Sequence, residues 1–222
     1  MLIPLSFPLT RTSPLYPGTP APAIEPVPPR SPSGSSRTSI LALHSHSGTH
    51  IDLPPHVCNG DGGDLPLTPR ALAFFPARCI SLDVDSSSAV TPGHLKPNLP
   101  LIRDAQALLI RTGSALLRST DPGRYASSHP RVDPSVPAWL RAECPGLRLF
   151  GIDAISIADP SHREEGRACH RGFLCDAPPI LLLEDADLSD SRLLDRPFTL
   201  RLHPFLAEWI DGIPVVALAE IP

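Results

Sequence analysis

The sequence lacks several features that mark other classes of protein. No apolar run approaches the roughly 20 residues that cross a bilayer, and the first eleven residues have no basic flank typical of a secretory signal. Acidic residues outnumber basic ones, giving a net charge of −4, so no positive excess favours nucleic acid or an anionic membrane. We therefore expect neither nucleic acid nor a membrane as a partner.

Cysteine occurs without a recognisable pattern. The five cysteines are scattered and form no Cys-x-x-Cys pair, which favours reduced thiols in an intracellular protein. We therefore expect a cytoplasmic location. The 222 residues, 41% of them apolar, suffice for one well-buried domain spanning 1–222. Although the chain has 30 prolines, its apolar runs continue throughout, so the composition does not indicate disorder.

Histidine, in contrast, is concentrated in one stretch: four of the nine histidines lie within thirteen residues. Five side chains that can bind a metal occupy even-numbered positions here: His44, His46, His50, Asp52 and His56. In an extended chain, alternate side chains share one face. Four residues of strand span roughly 13 Å, whereas two ligands of one cation lie within about 4 Å of each other. The chain must therefore bend between His46 and His50.

Gly48 lies at that point and accepts a positive φ without steric cost. A helix would also bring positions four apart together, but Gly48, the β-branched Thr49 and Ile51, and Pro54 disfavour a helix here. The sequence predicts a strand over 38–43, a glycine bend, a short second strand, and a proline-stiffened exit carrying His56.

His46, His50 and Asp52 are the predicted ligands. Imidazole and carboxylate suit zinc or manganese, and three protein ligands leave open positions, as in catalytic sites. His56, beyond the prolines, is placed to move a proton beside the metal rather than to bind it. The alternative is a run of surface histidines that bond to water or backbone.

The string from His46 to His56, His-Ser-Gly-Thr-His-Ile-Asp-Leu-Pro-Pro-His, resembles the signature of the cyclase family of metal-dependent hydrolases, which includes bacterial kynurenine formamidases and isatin hydrolases. The resemblance implies a single α/β domain with a central mixed β-barrel-like sheet flanked by helices, in a homodimer or larger assembly. It also implies a small-molecule substrate and hydrolysis of an amide or N-formyl anilide bond.

Further site residues follow from the same resemblance. Tyr16 matches an aromatic residue that packs on the substrate. His170 and Glu184 match ligands of a second metal ion that Asp52 bridges, so one or two ions of Zn²⁺ or Mn²⁺ are expected. A competing cluster of ligand types, His162, Glu164 and Glu165, fits a solvated helix start better.

Two other functions stay open. The same metal could serve a cyclase or dehydratase of secondary metabolism, or the chain could be a metal-binding protein without turnover.

Periodicity predicts the remaining elements. Strands are expected at Leu2–Leu9, Phe74–Val84, Ala107–Arg111, Leu147–Ile152 and Ile180–Leu183. Helices are expected over 135–143 and 163–174. The family resemblance, rather than periodicity, implies a closing hairpin and final strand over 209–216. The Pro- and Ser-rich stretch 21–37 is interpreted as a loop, Asp61 and Asp64 as turn formers, and Asp185 as a turn cap after its strand.

Overall fold

The computed structural model describes residues 1–29, 36–58, 75–194, 196–205, 207 and 210–222. Its strands are β1 (Leu2–Pro4), β2 (Ala23–Val27), β3 (Thr38–Ala42), β4 (His50–Asp52), β5 (Phe75–Ser81), β6 (Ala89–Val90), β7 (Ala107–Arg111), β8 (Arg131–Val132), β9 (Leu149–Ile152), β10 (Leu181–Glu184), β11 (Phe198–Pro204) and β12 (Gly212–Glu220). Its α-helices are α1 (Pro92–Leu95), α2 (Leu99–Ile102), α3 (Ser114–Thr120), α4 (Pro122–Ser127), α5 (Val136–Glu143) and α6 (Arg163–Leu174). One-turn 3₁₀ helices lie at Pro54–His56, Lys96–Asn98 and Ser191–Leu193.

The central sheet closes on itself. Its strands run in the order β12, β11, β5, β7, β9, β10, β4, and β4 pairs with both β10 and β12. The pairs β5–β7, β7–β9 and β9–β10 are parallel and the others antiparallel, so the sheet is mixed. β1 is an additional edge strand beside β12. The predicted α/β fold with a barrel-like mixed sheet is confirmed.

Burial explains why these stretches form strands. β9 and β10 are buried at every position, as expected for parallel strands covered on both faces. β12 instead alternates between buried and less buried residues along most of its length. The apolar side chains of the sheet and of α5 and α6 form one core, in which Phe150 stacks on Phe173 with ring centroids 5.0 Å apart.

The two longer helices occur where the sequence predicts them. α6 has the predicted bounds, and α5 begins one residue later than predicted. Among the described residues, no helix has both the length and the apolar character needed to cross a bilayer. Asp61, Asp64 and Trp209 lie outside the described residues.

The loop prediction for 21–37 is wrong in part. β2 occupies Ala23–Val27 and pairs antiparallel with β3, with Ala23 opposite Ala42. Pro26 does not prevent this pairing, because a proline is tolerated in a strand whose N–H side faces away from its neighbour. Residues 30–35 of the predicted loop are outside the described part of the chain.

The expectation of reduced thiols is wrong for one pair of cysteines. Cys58 and Cys175 form a disulfide with their Cα atoms 5.6 Å apart, and the remaining cysteines, Cys79, Cys144 and Cys169, are free and buried. The disulfide joins the residue two positions after His56 to the end of α6. It therefore fixes the two parts of the chain that supply the candidate site.

Candidate metal centre

The histidine-rich segment follows the course predicted from its sequence. β3 ends at Ala42, a turn carries His44 and His46, and β4 holds His50 and Asp52. Pro54 then begins the 3₁₀ turn that ends at His56. His50 and Asp52, two positions apart on β4, therefore face the same way.

Gly48 makes the bend between the two predicted ligands. Its φ of +67° is in the left-handed region, and a Cβ there would lie 3.1 Å from Cδ1 of Leu9. A residue with a side chain would be strained by the backbone angle and crowded by Leu9. The glycine thus lets His46 approach Asp52, and Nδ1 of His46 lies 2.8 Å from Oδ1 of Asp52.

Strand register brings in Glu184. β4 lies between β10 and β12, with His50 directly opposite Glu184 and Asp52 opposite Leu182. Directly opposed residues on antiparallel strands have their Cβ atoms roughly 5 Å apart. Nε2 of His50 accordingly lies 3.6 Å from Oε2 of Glu184 and 3.2 Å from Oδ1 of Asp52.

α6 contributes His170 to the same group. Its Nε2 lies 3.4 Å from Oδ2 of Asp52 and 3.6 Å from Oε1 of Glu184. The side chain is only 7% exposed, so His170 does not lie on a solvated face of the helix. The structure thus brings His46, His50, Asp52, His170 and Glu184 together, although more than a hundred residues separate the first three from the last two.

The donor atoms of this cluster suit a cation. Nδ1 of His50 donates to the carbonyl of Gly48 at 2.8 Å, and Nδ1 of His170 donates to the carbonyl of Gly166 at 2.7 Å. Because a carbonyl only accepts, each Nδ1 carries a proton and each Nε2 points into the cluster. Nε2 of His50 and Oδ2 of Asp52 are buried without a hydrogen bond among the described residues. Unsatisfied nitrogen and oxygen atoms that converge in this way fit a zinc or manganese site.

Among the described residues, two sets of three side chains could each hold a cation. Within each set, the possible ligand atoms lie within 4.8 Å of one another. One comprises His46, Asp52 and His56, and the other His50, Asp52 and Glu184. Asp52 belongs to both, as a bridging carboxylate would. His56 thus offers a ligand atom beside His46 and Asp52, and the proton-carrier role expected from the sequence stays a prediction.

Glu184 is held in position by its other contacts. Its Oε1 accepts hydrogen bonds from Oγ of Ser156 at 3.0 Å and from the backbone N–H of Ile157 at 2.7 Å. These bonds leave Oε2 directed toward His50. No short sequence pattern assigns Ser156 to Glu184, so this contact was not predicted.

The buried carboxylates and histidines of the cluster shift one another's pKa values. Burial alone would raise the pKa of Asp52, but the neighbouring imidazoles of His170, His46 and His50 hold it well below its usual range. Burial alone would lower the histidine pKa values, yet Asp52 raises that of His50 to about 9, and Asp52 with Glu184 raises that of His170 to about 10. These two imidazoles must lose a proton before they bind a cation.

Asp211, the residue before β12, was not predicted to be part of the site. It accepts a hydrogen bond from Oγ of Ser45 at 2.8 Å, and its Oδ2 lies 3.0 Å from Nε2 of His46. Burial opposes its ionisation, but the hydrogen bonds from His46 and Ser45 lower its pKa to about 2. The neighbouring Gly212 leaves room for the His46 ring, which a Cβ would overlap. Asp211 therefore orients His46 from outside the ligand group.

His56 stands at the open side of the cluster. Its Nδ1 lies 3.5 Å from Oδ2 of Asp211, and its ring centroid lies 4.2 Å from that of His46 and 5.6 Å from that of His170. Burial lowers the pKa of His56, the charges of His46 and His170 act in the same direction, and those of Asp52 and Glu184 oppose it. The lowered pKa favours the neutral imidazole, which can accept a proton.

A pocket of about 340 Å³ opens above these side chains. Its lining includes Tyr16, Pro17 and Thr19, residues of the ligand cluster with His56, and Arg163, Gly166 and Arg167 of α6. Tyr16 therefore borders the cavity, and its contact with a substrate stays a prediction. The volume suits a small aromatic molecule.

The interpretation of Asp185 as a turn cap is wrong. Its carboxylate is buried, receives two bonds from Arg118 at 2.9 and 3.1 Å, and accepts a third from the Tyr125 hydroxyl at 2.5 Å. Its φ is +53°, and its carbonyl accepts a hydrogen bond from Oγ1 of Thr49 at 2.6 Å. Asp185 therefore connects the strand end at Glu184 to the turn before His50.

The competing cluster lies apart from the ligand group. His162 bonds to Asp159 at 2.9 Å, Glu165 pairs with Arg131 at 3.2 Å, and Glu164 is exposed. The solvated helix start predicted for these residues agrees with the structure.

Several known proteins are similar in sequence to this chain. A family model described as "Putative cyclase" matches residues 3–159. Kynurenine formamidase from Bacillus mycoides (strain KBAB4) is 30% identical over 186 residues, which are 84% of this chain and 81% of the relative. Kynurenine formamidase from Bacillus cereus (strain ATCC 10987 / NRS 248) is 29% identical over 216 residues, covering 97% and 95%.

Solved structures share the fold. An isatin hydrolase bound to the product analogue thioisatinate superposes with a TM-score of 0.78 at 18% identity, covering 100% of this chain and 92% of that chain. A protein described as a predicted metal-dependent hydrolase from Bacillus stearothermophilus gives a TM-score of 0.77 at 19% identity, covering 99% and 97%. Because the family model covers more than half of the sequence and the relatives match most of it, this chain belongs to the cyclase family.

Proposed function

We propose that this protein is a metal-dependent hydrolase that cleaves the carbon–nitrogen bond of an amide or N-formyl anilide. Its kynurenine formamidase relatives identify it as a hydrolase of amide carbon–nitrogen bonds. The observation that supports the metal-dependent mechanism is the convergence of Nε2 of His50 and Oδ2 of Asp52, both buried without a hydrogen bond among the described residues, from two side chains that line one pocket.

We assign the ligands to two positions that share Asp52. His46, His50 and Asp52 would hold the first ion, and Asp52, His170 and Glu184 the second. The donor set suits Zn²⁺ or Mn²⁺. When bound, such a cation polarises the attacked carbonyl and lowers the pKa of water toward 7.

His56 is the proposed general acid and base. Because Asp211 faces Nδ1 of His56 at 3.5 Å, Nδ1 keeps its proton and Nε2 is the atom that accepts one. Nε2 would take a proton from the attacking water and return it to the leaving nitrogen. The lowered pKa of His56 keeps Nε2 unprotonated before the reaction.

Tyr16 is proposed to pack against the substrate. It is half-buried and lines the pocket. An aromatic ring in this position favours a flat aromatic amide, because offset stacked rings attract each other.

Hydrolysis by metal-loaded protein tests the proposal. The purified protein is treated with a chelator, reloaded with Zn²⁺ or Mn²⁺, and assayed with formanilide, N-formylkynurenine, isatin and simple amides. We expect turnover of at least one of these to fall at least tenfold on chelation and to return with the metal. Turnover that is unaffected by chelation contradicts the mechanism, and full metal binding without any turnover favours a binding protein instead.

We also propose that the protein is a homo-oligomer of one domain spanning 1–222. β1 and β12, from the two ends of the chain, pair in one sheet, which supports a single domain. The β2–β3 hairpin exposes Ile24, Ile40 and Leu41, which are 42%, 57% and 60% exposed. Light scattering should give at least twice the mass of the chain, and Leu41→Asp should reduce it. A monomer in the unmodified protein would contradict this proposal.

A cytoplasmic location remains a prediction. The Cys58–Cys175 disulfide counts against it, because disulfides persist mainly in oxidising compartments.

A further inference from the structure

One face of α6 forms a wall of the pocket. Arg163, Gly166, Arg167 and His170 all line the cavity. Their spacing of three, four and seven residues from Arg163 places them on a single helix face. At 1.5 Å per residue, Arg167 is roughly 5 Å and Arg163 roughly 10 Å along the helix axis from His170. The helix therefore presents one proposed metal ligand and two guanidinium groups to the same space.

Neither arginine has an acidic partner within the described residues. Arg163 makes one hydrogen bond, to the carbonyl of Pro160 at 3.3 Å, and Arg167 has no hydrogen bond or ion pair with any residue that the structure describes. Glu165 of the same helix pairs with Arg131 instead. Both guanidinium groups are thus available to a ligand in the pocket.

The other lining residues offer little competition for these charges. Tyr16, Pro17 and Thr19 contribute no acidic side chain to the cavity. Tyr16 is close enough to Arg163 that the positive charge partly offsets the effect of burial, which raises the pKa of the phenol. The acidic residues of the pocket lining, Asp52 and Glu184, are buried, whereas Arg163 and Arg167 are exposed. The exposed part of the lining therefore carries a positive charge.

We infer that Arg163 and Arg167 form an anion subsite that selects substrates carrying a carboxylate roughly 5–10 Å from the bond that is cleaved. This inference rests on the proposed function and adds the substrate class to it. An aromatic amide with a carboxylate on the ring, or on a short side chain of the ring, meets both conditions. A planar guanidinium binds a carboxylate through two parallel hydrogen bonds, which positions the amide as well as attracting it.

Two substrates provide the test, one with a free carboxylate and one in which that carboxylate is esterified and uncharged. 4-Formamidobenzoate and its methyl ester are compared in the metal-loaded protein and in Arg163→Gln, Arg167→Gln and the double variant. Each substitution is expected to raise KM for the acid about tenfold and to leave kcat and the ester nearly unchanged, since hydrogen bonds between charged groups are this strong. Arg171→Gln, an exposed arginine of the same helix that does not line the pocket, is the matched control and should affect neither substrate.

A binding measurement separates this inference from the proposed function. Calorimetry with 4-aminobenzoate should show about tenfold weaker binding to Arg167→Gln than to Arg171→Gln, with equal metal content in both. If no amide is hydrolysed but this difference is found, the proposed function fails and the anion subsite stands. Equal effects on acid and ester, equal effects in the Arg171→Gln control, or no effect of any arginine would overturn the subsite.

Discussion

His50→Ala should abolish metal binding at the first position. Nε2 of His50 is buried, makes no hydrogen bond among the described residues, and lies 3.2 Å from Oδ1 of Asp52. Two remaining ligands, His46 and Asp52, cannot hold an ion against water and buffer. We therefore expect metal analysis of the purified variant to show the loss of one equivalent, and hydrolysis to fall by at least a hundredfold.

Two further variants make this result interpretable. The cavity left by alanine beside two buried carboxylates could unfold the protein, so His50→Gln, which keeps most of the side-chain volume, is measured in parallel. His203→Ala, at an exposed histidine on β11, is the control and should keep both metal and turnover. Full metal occupancy in folded His50→Ala would exclude His50 as a ligand.

His56→Ala should keep the metal and lose turnover by roughly a hundredfold or more, the usual contribution of a general acid or base. The side chain is 31% exposed at the end of a 3₁₀ turn, so its truncation leaves little buried volume empty. What is lost is Nε2, the atom proposed to carry the proton between water and the leaving nitrogen. Steady-state kinetics measure the turnover of His56→Ala, and metal analysis of the same sample measures its metal content.

Metal analysis decides between the two roles of His56. Its ligand atoms lie within 4.8 Å of those of His46 and Asp52, so binding of the ion by His56 is the competing explanation. Loss of one equivalent of metal in His56→Ala would identify it as a ligand, and a near-normal rate would reduce it to a structural residue. His44→Ala, which removes an exposed imidazole at the rim of the same pocket, should retain turnover within a few-fold.

The local structure of the site could be predicted from the sequence because its determinants are local. The spacing of His46, His50 and Asp52 requires a bend, and Gly48 is the residue that can make it. Glu184 and His170 were predicted only through the family resemblance. Their arrival at Asp52 depends on the register of β10 against β4 and on the packing of α6, which no short sequence pattern encodes.

Residues that act through long-range pairing were missed. Asp211 reaches His46 because β12 pairs with β4, with Gly212 opposite Asp52, and the two segments are far apart in sequence. Asp185 has the composition of a turn residue, but its partner Arg118 comes from α3 and makes it a buried ion pair. The Cys58–Cys175 disulfide likewise joins cysteines 117 positions apart.

An anomalous-scattering map of crystals loaded with Zn²⁺ or Mn²⁺ tests the central claim most directly, since it locates each ion without relying on activity. We predict one peak about 2.1 Å from nitrogen atoms of His46 and His50, and a second at a similar distance from His170 and Glu184, with Asp52 between them. Peaks elsewhere, for example at His162 and Asp159, or ligand atoms more than about 4 Å from every peak, would contradict the assignment of this cluster as the metal centre.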